Sequence, residues 1–469
     1  MKRTMILIAA ALMGCGLAEA QSALPAAPSP RILPALRAEN AGDAPIPPGA
    51  VPTQNSGAAP QLPQLTRAQA EQMAIRNNPR VSVGKLLALA QHQVLREARS
   101  AELPTLTGEI TGVQAEDGSR LSAGSLNASR LLVHAGAGAD FTQLIYDFGQ
   151  THNLVLSREL AEQASNANAL ATTEEIVLAT DQAFYDALTA QAELQVAQQT
   201  VNTRQTTDDQ VREMTRNKLK STVDLAFADV DLSQAQLLQL DAQDNADASM
   251  AALDAILGLD RDVRFHLVER SAAPPPPPPD ADDLVREALA QRPDLQALTL
   301  DTRSDQKYAR SQWDKMLPSI SAAGTAGVVP VRSDPYYVEN WWGAIGGNVS
   351  IPLFNGFLYM SQAREARYRA QADAQNARDL RDNIVRDVRT AWLQANTAWQ
   401  RMAVTAQLVK EADLALVLAQ TRYKLGLSSI VELSQAQLQQ TSAEIENTNA
   451  TYQYRLSLST LNYETGVAP

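Results

Sequence analysis

The feature that most limits what this chain can fold into is that it is written twice. Arg96 recurs as Arg310 and Leu103-Pro104 as Leu317-Pro318, both 214 positions on. Tyr146-Asp147 recurs as Phe354-Asn355, Asp224-Leu225 as Glu432-Leu433, and Leu253 and Gly258 as Leu461 and Gly466, each 208 positions on. The offset falls between the Leu-Pro pair and the aromatic pair, so that interval should hold a surface loop, where length changes are tolerated. Duplication predicts two copies of one unit, at residues 65–270 and 281–466, joined through a linker at 271–280. Six prolines in that linker, Pro274 to Pro279, favour a stiff extended segment.

Each copy predicts helix, strand, loop, strand, very long helix, turn, helix. In the first copy the helices are expected at 66–101, 149–216 and 224–257. The leading helix should stop near Leu103, because Pro104 disfavours a helical residue before it. The second copy places them at 281–315, 357–423 and 432–465. A long helix of about 68 residues spans about 100 Å, and the two shorter helices of each copy together have nearly the same length. Each copy can therefore form two matched rods, one continuous and one broken. In the second copy a 3-4 spaced seam runs through Ile384, Val388, Ala391, Ala395, Ala398, Met402, Thr405, Val409, Ala412, Leu416, Ala419 and Tyr423. That spacing signals coiled-coil packing. Flanking polar residues such as Asp382, Arg386, Arg389 and Gln394 leave the remaining faces wet. This suits a wall of helices between two aqueous spaces; an ordinary coiled coil with one wet outside would carry the same seam.

Four candidate strands lie between the leading and long helices. Ser319 to Val328 alternates Ile320, Ala322, Gly324, Ala326 and Val328 with Ser319, Ser321 and Thr325; Trp341 to Leu353 alternates Ile345, Val349 and Leu353 with Asn348 and Ser350. Leu106 and Ile110 alternate with threonines and Glu109, and Ala135 to Tyr146 carries a weaker version. Strands of about ten residues with this period suit a transmembrane barrel, and a pair of soluble hairpins would also show it. Tyr336, Tyr337, Trp341 and Trp342 cluster where interfacial aromatics belong. Four strands cannot close a membrane barrel, so a spanning form must pool strands from several chains.

Lys2 and Arg3 precede a short apolar run from Met5 to Leu12, the pattern of a secretory signal. Ala18-Glu19-Ala20 is a cleavage site that would leave residues 1–20 behind. Leu12-Met13-Gly14-Cys15 is an imperfect lipobox that would instead make Cys15 a lipidated first residue, although Met13 is bulky for that role. Residues 21–64, rich in Pro and Ala without periodicity, read as a disordered arm. Cys15 is the only cysteine, so cleavage after Ala20 removes thiol and disulfide chemistry. The net charge of −12, without a basic patch, argues against nucleic-acid partners. Aromatics are 5% of the chain while hydrophobics are 45%, much of it alanine, which favours long helices packed through small side chains. His92, His134, His152 and His266 are scattered without metal-ligand spacing, and no nucleotide-binding or nucleophile motif occurs. No catalytic site and no cofactor are expected.

The tandem unit, with Ile145-Tyr146-Asp147-Phe148-Gly149 and Leu353-Phe354-Asn355-Gly356-Phe357 after its second strands and the turn from Arg422 to Leu433, resembles the TolC-like outer-membrane efflux family over Leu65 to Gly466. The resemblance implies a mainly α protomer with a membrane β-barrel part. It implies a homotrimer with a twelve-stranded barrel in outer-membrane lipid and a periplasmic tunnel of twelve helices. It also implies a periplasmic adaptor and an inner-membrane pump of the RND, ABC or MFS type as partners. The tunnel would close at its periplasmic tip, with Asp224 and Tyr423 as a constraint between hairpins and Glu432 and Gln435 at the constriction rings. Lys220, Ser221, Thr222, Gly426, Leu427 and Ser428 would form the adaptor-contact tips. Two departures stand out: Lys220 is read in the place of a first-copy tip glycine, and Ser428 stands where a basic residue is usual. A periplasmic coiled-coil scaffold without a barrel is the rival reading, though it would not call for two copies with alternating strands.

Overall fold

The computed structural model describes residues 63–113, 120–123, 126–130, 134–259, 265–269, 273–328 and 341–467. The expected signal segment with Cys15, the expected Pro/Ala-rich arm up to residue 62, and Tyr336 and Tyr337 lie outside the described residues. In chain order the elements are β1 (Gln64–Leu65), α1 (Arg67–Asn77), α2 (Pro79–Ser100), β2 (Thr105–Val113), β3 (Arg120–Ala123), β4 (Leu126–Arg130), β5 (His134–Tyr146), α3 (Gln150–Arg216), α4 (Thr222–Leu257), β6 (His266–Leu267), α5 (Ala281–Gln291), α6 (Pro293–Asp314), β7 (Ser319–Val328), β8 (Trp341–Ser350), α7 (Leu358–Lys424) and α8 (Ile430–Thr465).

The two copies match helix for helix. α3 and α7 each have 67 residues, α4 and α8 each have 36, α1 and α5 each have 11, and α2 and α6 each have 22. Both leading helices, expected to be continuous, are broken, at Asn78 and Arg292. Pro79 and Pro293 follow as the first residues of α2 and α6. A proline tolerates a first-turn position but pushes the residue before it out of the helical region, here to ψ 125° and 123°. The break has a use. Asn78 donates from its side chain to the Ile256 carbonyl at 2.9 Å, in the last turn of α4. Arg292 donates to the Glu464 carbonyl at 3.4 Å and pairs with its carboxylate, in the last turn of α8. Each short rod is thus sealed end to end. Gly258 and Gly466 end α4 and α8 with φ of 68° and 71°, and a Cβ at Gly258 would stand 2.9 Å from the Asn77 carbonyl oxygen.

The rods pack through small residues. Of the expected α7 seam, Ile384, Val388, Ala391, Ala395, Ala398, Thr405, Ala412, Ala419 and Tyr423 are buried, and Met402, Val409 and Leu416 are partly so. Leu393, Val404, Leu414 and Val417 on the same helix remain exposed. At the waist, where α1 crosses α3, the largest buried cluster gathers Leu65, Val81, Phe184, Leu188, Leu253, Leu257 and Leu267. The arm enters here as β1, paired in parallel with β6. Beside it Arg67 reaches Asp181 at 2.9 Å and Glu71 at 3.2 Å, with both carboxylates buried. Burial, then the hydrogen bond and charge of Asp181, raise the Glu71 carboxyl to about 7 against the pull of Arg67.

β2, β5, β7 and β8 form one antiparallel sheet in that order, so the second strand of copy one joins the first of copy two. The register puts Leu106 opposite Phe141, Phe141 opposite Gly324, and Gly324 opposite Ile345 on one face. Thr107, Asp140, Thr325 and Ala344 follow one another across the other. The apolar face is bare: Ile110 is 90% exposed and Ile345 87%. Neither β2 nor β8 has a second neighbour among the described strands, so both edges of the sheet are free. The expected strand at 341–353 ends at Ser350, and the first-copy loop carries a small hairpin, β3 and β4, that periodicity did not announce.

Candidate functional site

The chemistry-bearing residues gather at the far ends of α3 and α7, where each long helix turns back. Both turns close the same way. Leu219 donates to the Met214 carbonyl and Leu427 to the Arg422 carbonyl, each at 2.8 Å. The left-handed residue of this motif is Lys218 (φ 61°) in copy one and Gly426 (φ 73°) in copy two. The counterpart of Gly426 is therefore Lys218, and the earlier placement of Lys220 in that role is corrected. Lys220 falls opposite Ser428. A left-handed lysine costs about 1–2 kcal/mol, and the exposed tip lets it stay.

Ser221 and Ser429 then start α4 and α8. Asp224 completes a capping box: its backbone N–H donates to Ser221 Oγ at 3.1 Å, and its carboxylate accepts from Ser221 N and Oγ, also at 3.1 Å. Glu432 holds the same place in α8, with its N–H 3.4 Å from Ser429 Oγ, but its carboxylate turns to Arg422 Nε at 3.1 Å across the turn. Gln435 follows on the exposed face of α8. Thr222 and Leu427 are exposed, as are Leu219, Val223, Leu425 and Val431. The tip thus presents a small apolar surface contributed in like fashion by both copies.

Tyr423 lies where the two hairpins meet, 5% exposed, among Val211, Ala228, Ala419, Ile430 and Leu433. Lys220 Nζ stands 4.0 Å from the centre of its ring, well within cation–π range. The Tyr423 hydroxyl is buried with no hydrogen-bond partner among the described residues. Burial, then the charge of Asp224, raise its pKa. Within one chain Asp224 and Tyr423 therefore interact through space, since the Asp224 carboxylate spends its hydrogen bonds on Ser221.

Sequence reasoning missed a polar layer behind the tip. Arg204, buried on α3, donates to Gln437 of α8 and lies 3.9 Å from Asp231 of α4. Ser434 also donates to Asp231, and Gln437 donates to Thr207 at 3.2 Å. Two turns on, Arg212 bridges buried Asp208 at 2.8 Å and Asp229 at 2.7 Å. Burial lowers the Arg204 pKa, and the Asp231 charge opposes that. The signal was present in the spacing, because Arg204, Asp208 and Val211 continue one helical stripe. Among the described residues no group of three or more His, Cys, Asp or Glu is placed to hold a metal ion. No described helix is long and apolar enough to cross a membrane, which says nothing of a β-barrel.

The family model described as outer membrane efflux protein matches residues 70–259 and 284–467, one match to each copy. Outer membrane protein TolC of Salmonella enteritidis is 22% identical over 414 residues, covering 85% of this chain and 81% of TolC. The alkaline protease secretion protein AprF of Pseudomonas aeruginosa is 22% identical over 245 residues, half of this chain and 49% of AprF. Among solved structures, the outer-membrane channel OprN superposes with a TM-score of 0.75 at 16% identity, covering 86% of this chain and 90% of OprN. The outer membrane protein VceC of Vibrio cholerae gives 0.73 at 16% identity, covering 85% of this chain and 96% of VceC. The fold is therefore that of the outer-membrane channels, and the match to both copies settles the rest: this chain belongs to the outer membrane efflux protein family, an outer-membrane channel of the TolC type.

Proposed function

We propose that three copies of this chain assemble into the outer-membrane duct of a tripartite export system, joined to a periplasmic adaptor and an inner-membrane pump. The observation that carries this is the sheet, with one bare apolar face, one polar face and two free edges. Open edges are not tolerated in lipid, and three such sheets joined edge to edge give a closed twelve-stranded barrel. Two helices of about 100 Å leave each sheet, long enough to build a tunnel through the periplasm. Cleavage after Ala20 would start the mature chain at Gln21 and remove Cys15, whereas lipobox processing would start it at a lipidated Cys15.

The tips close the tunnel. Tyr423, clasped by the first-copy turn through Lys220 and facing Asp224, holds the two hairpins of a protomer together, and a docking adaptor separates them. Glu432 lines the constriction with Gln435, but its Arg422 partner offsets its charge, so the cation preference of the ring is mild. The apolar tips around Leu219 and Leu427 are the docking surface. Detergent-extracted outer membranes test the assembly: light scattering should give a mass three times that of the mature chain. Recovery as a monomer in a soluble periplasmic fraction would overturn it and favour a scaffold.

A further inference from the structure

The proline run Pro274–Pro279 does more than separate the copies. Each ring fixes φ near −65°, and every proline but the last precedes another, which removes the helical region. What remains is the extended polyproline II form, with three residues per turn, so carbonyls three residues apart face the same way about 9 Å from each other.

The second copy reads that spacing. The Tyr454 hydroxyl of α8 donates to the Pro275 carbonyl, and Trp392 Nε1 of α7 donates to the Pro278 carbonyl at 2.8 Å. Tyr454 is wholly buried, and the Trp399 ring lies 5.1 Å from it, one heptad along α7 from Trp392. An aromatic floor with an indole N–H and a phenol O–H directed at proline carbonyls is the chemistry by which proline-rich ligands are recognised. Both ends of the run are fixed as well. Upstream, Glu269 pairs with Arg455 of α8 and accepts from the Tyr185 hydroxyl of α3 at 3.3 Å. Downstream, Asp280 accepts from the Asp282 N–H at 2.8 Å and starts α5, and Arg389 of α7 holds Asp282 at 3.0 Å. In copy one the matching positions are Phe184, Gln191 and Ala246, so these donors occur only in the copy that the run of six prolines precedes.

We infer that the waist of the second copy carries a polyproline-recognition groove across α7 and α8, occupied in cis by the chain's own linker. The linker is a strap. It ties α7 to α8 at the level where α5 begins, independently of what the tips do. Vacated, the groove accepts a separate proline-rich peptide of the same spacing.

The full-length chain with Pro274–Pro279 replaced by an equal length of Gly and Ser is titrated with a hexaproline peptide, following tryptophan fluorescence and calorimetry. The replaced chain should bind saturably and the unmodified chain should not. Adding Tyr454→Phe and Trp392→Phe to the replaced chain should weaken binding about tenfold. No binding to a folded replaced chain, or equal binding to the unmodified one, would overturn the inference. If the replaced chain does not fold, Tyr454→Phe in the intact chain decides, since it removes one hydroxyl and leaves the ring. Amide exchange in the first turn of α5 should then rise about fivefold, as expected for the loss of one hydrogen bond. Unchanged exchange there would overturn the strap.

Discussion

The two copies share their helices to the residue and fill them with different chemistry. α3 and α7 agree in length, as do all the shorter helices. Yet at the waist copy one buries Glu71 and Asp181 beside half-buried Arg67, where copy two has Val285, Arg389 and Ala281. Behind the tip, Arg204 and Asp208 occupy stripe positions that copy two gives to Ala412 and Leu416. At the tip, Lys218 takes the left-handed position of Gly426. What both copies keep are the stops and starts: a proline after each break, a left-handed glycine closing each short rod, and a serine cap opening α4 and α8. Rod length and register are therefore set by these few backbone constraints. The buried seam tolerates either ionic or apolar filling once it is paired.

The glycines separate most sharply. Gly258→Ala should lose about 3 kcal/mol, adding left-handed strain to a clash with the Asn77 backbone. Gly426→Ala should lose only about 1 kcal/mol, because open space surrounds it. Thermal unfolding midpoints of the two variants check this, and equal losses would contradict it. Arg204→Ala should cost about 2 kcal/mol by stranding Gln437 and Asp231, and Arg204→Met should recover part of it by restoring packing like that around Ala412. Denaturant midpoints measure both.

One pH dependence should belong to the waist of copy one, because the position matching Glu71 in copy two is Val285. The folded Glu71 carboxyl, at about 7, lies above its ordinary value of 4.5, so the native state holds the proton more tightly. Its contribution is full at low pH and is lost as pH rises from about 4.5 through about 7, on the order of 1 kcal/mol after discounting for partial solvation. Glu71→Gln should flatten that slope in melting curves taken between pH 5 and pH 8, while Val285→Thr should leave it in place. The smallest effect is at the tip: Lys218→Gly should gain about 0.5 kcal/mol, relief of strain less the added chain entropy.

Most of the frame was legible in the sequence because it rests on periodicity and length. The expected helix 149–216 is α3 within a residue, and Ser319–Val328 is β7 as observed. The breaks before Pro79 and Pro293 were overlooked because apolar periodicity carries across them, although Asn followed by Pro is itself a helix-start signal. The α7 seam was readable because it is apolar. Its α3 counterpart was not, because a charged residue on a long helix looks solvated until its partners on α4 and α8 are in place. The turn residue was legible as well: the 208-residue offset pairs Gly426 with Lys218, not Lys220, and the left-handed φ of both agrees. Glu432 and Asp224 share a sequence position yet differ in partner, since Arg422 lies across the turn from one and Met214 across from the other.

Single-channel recording in a planar bilayer, with wild type beside the Asp224→Ala/Tyr423→Phe variant, tests the proposed gated channel. A small, mildly cation-selective conductance is expected, increasing in the variant as the clasp between the hairpins is lost. No conductance from either folded protein would contradict the channel, and an unchanged conductance in the variant would contradict the gate.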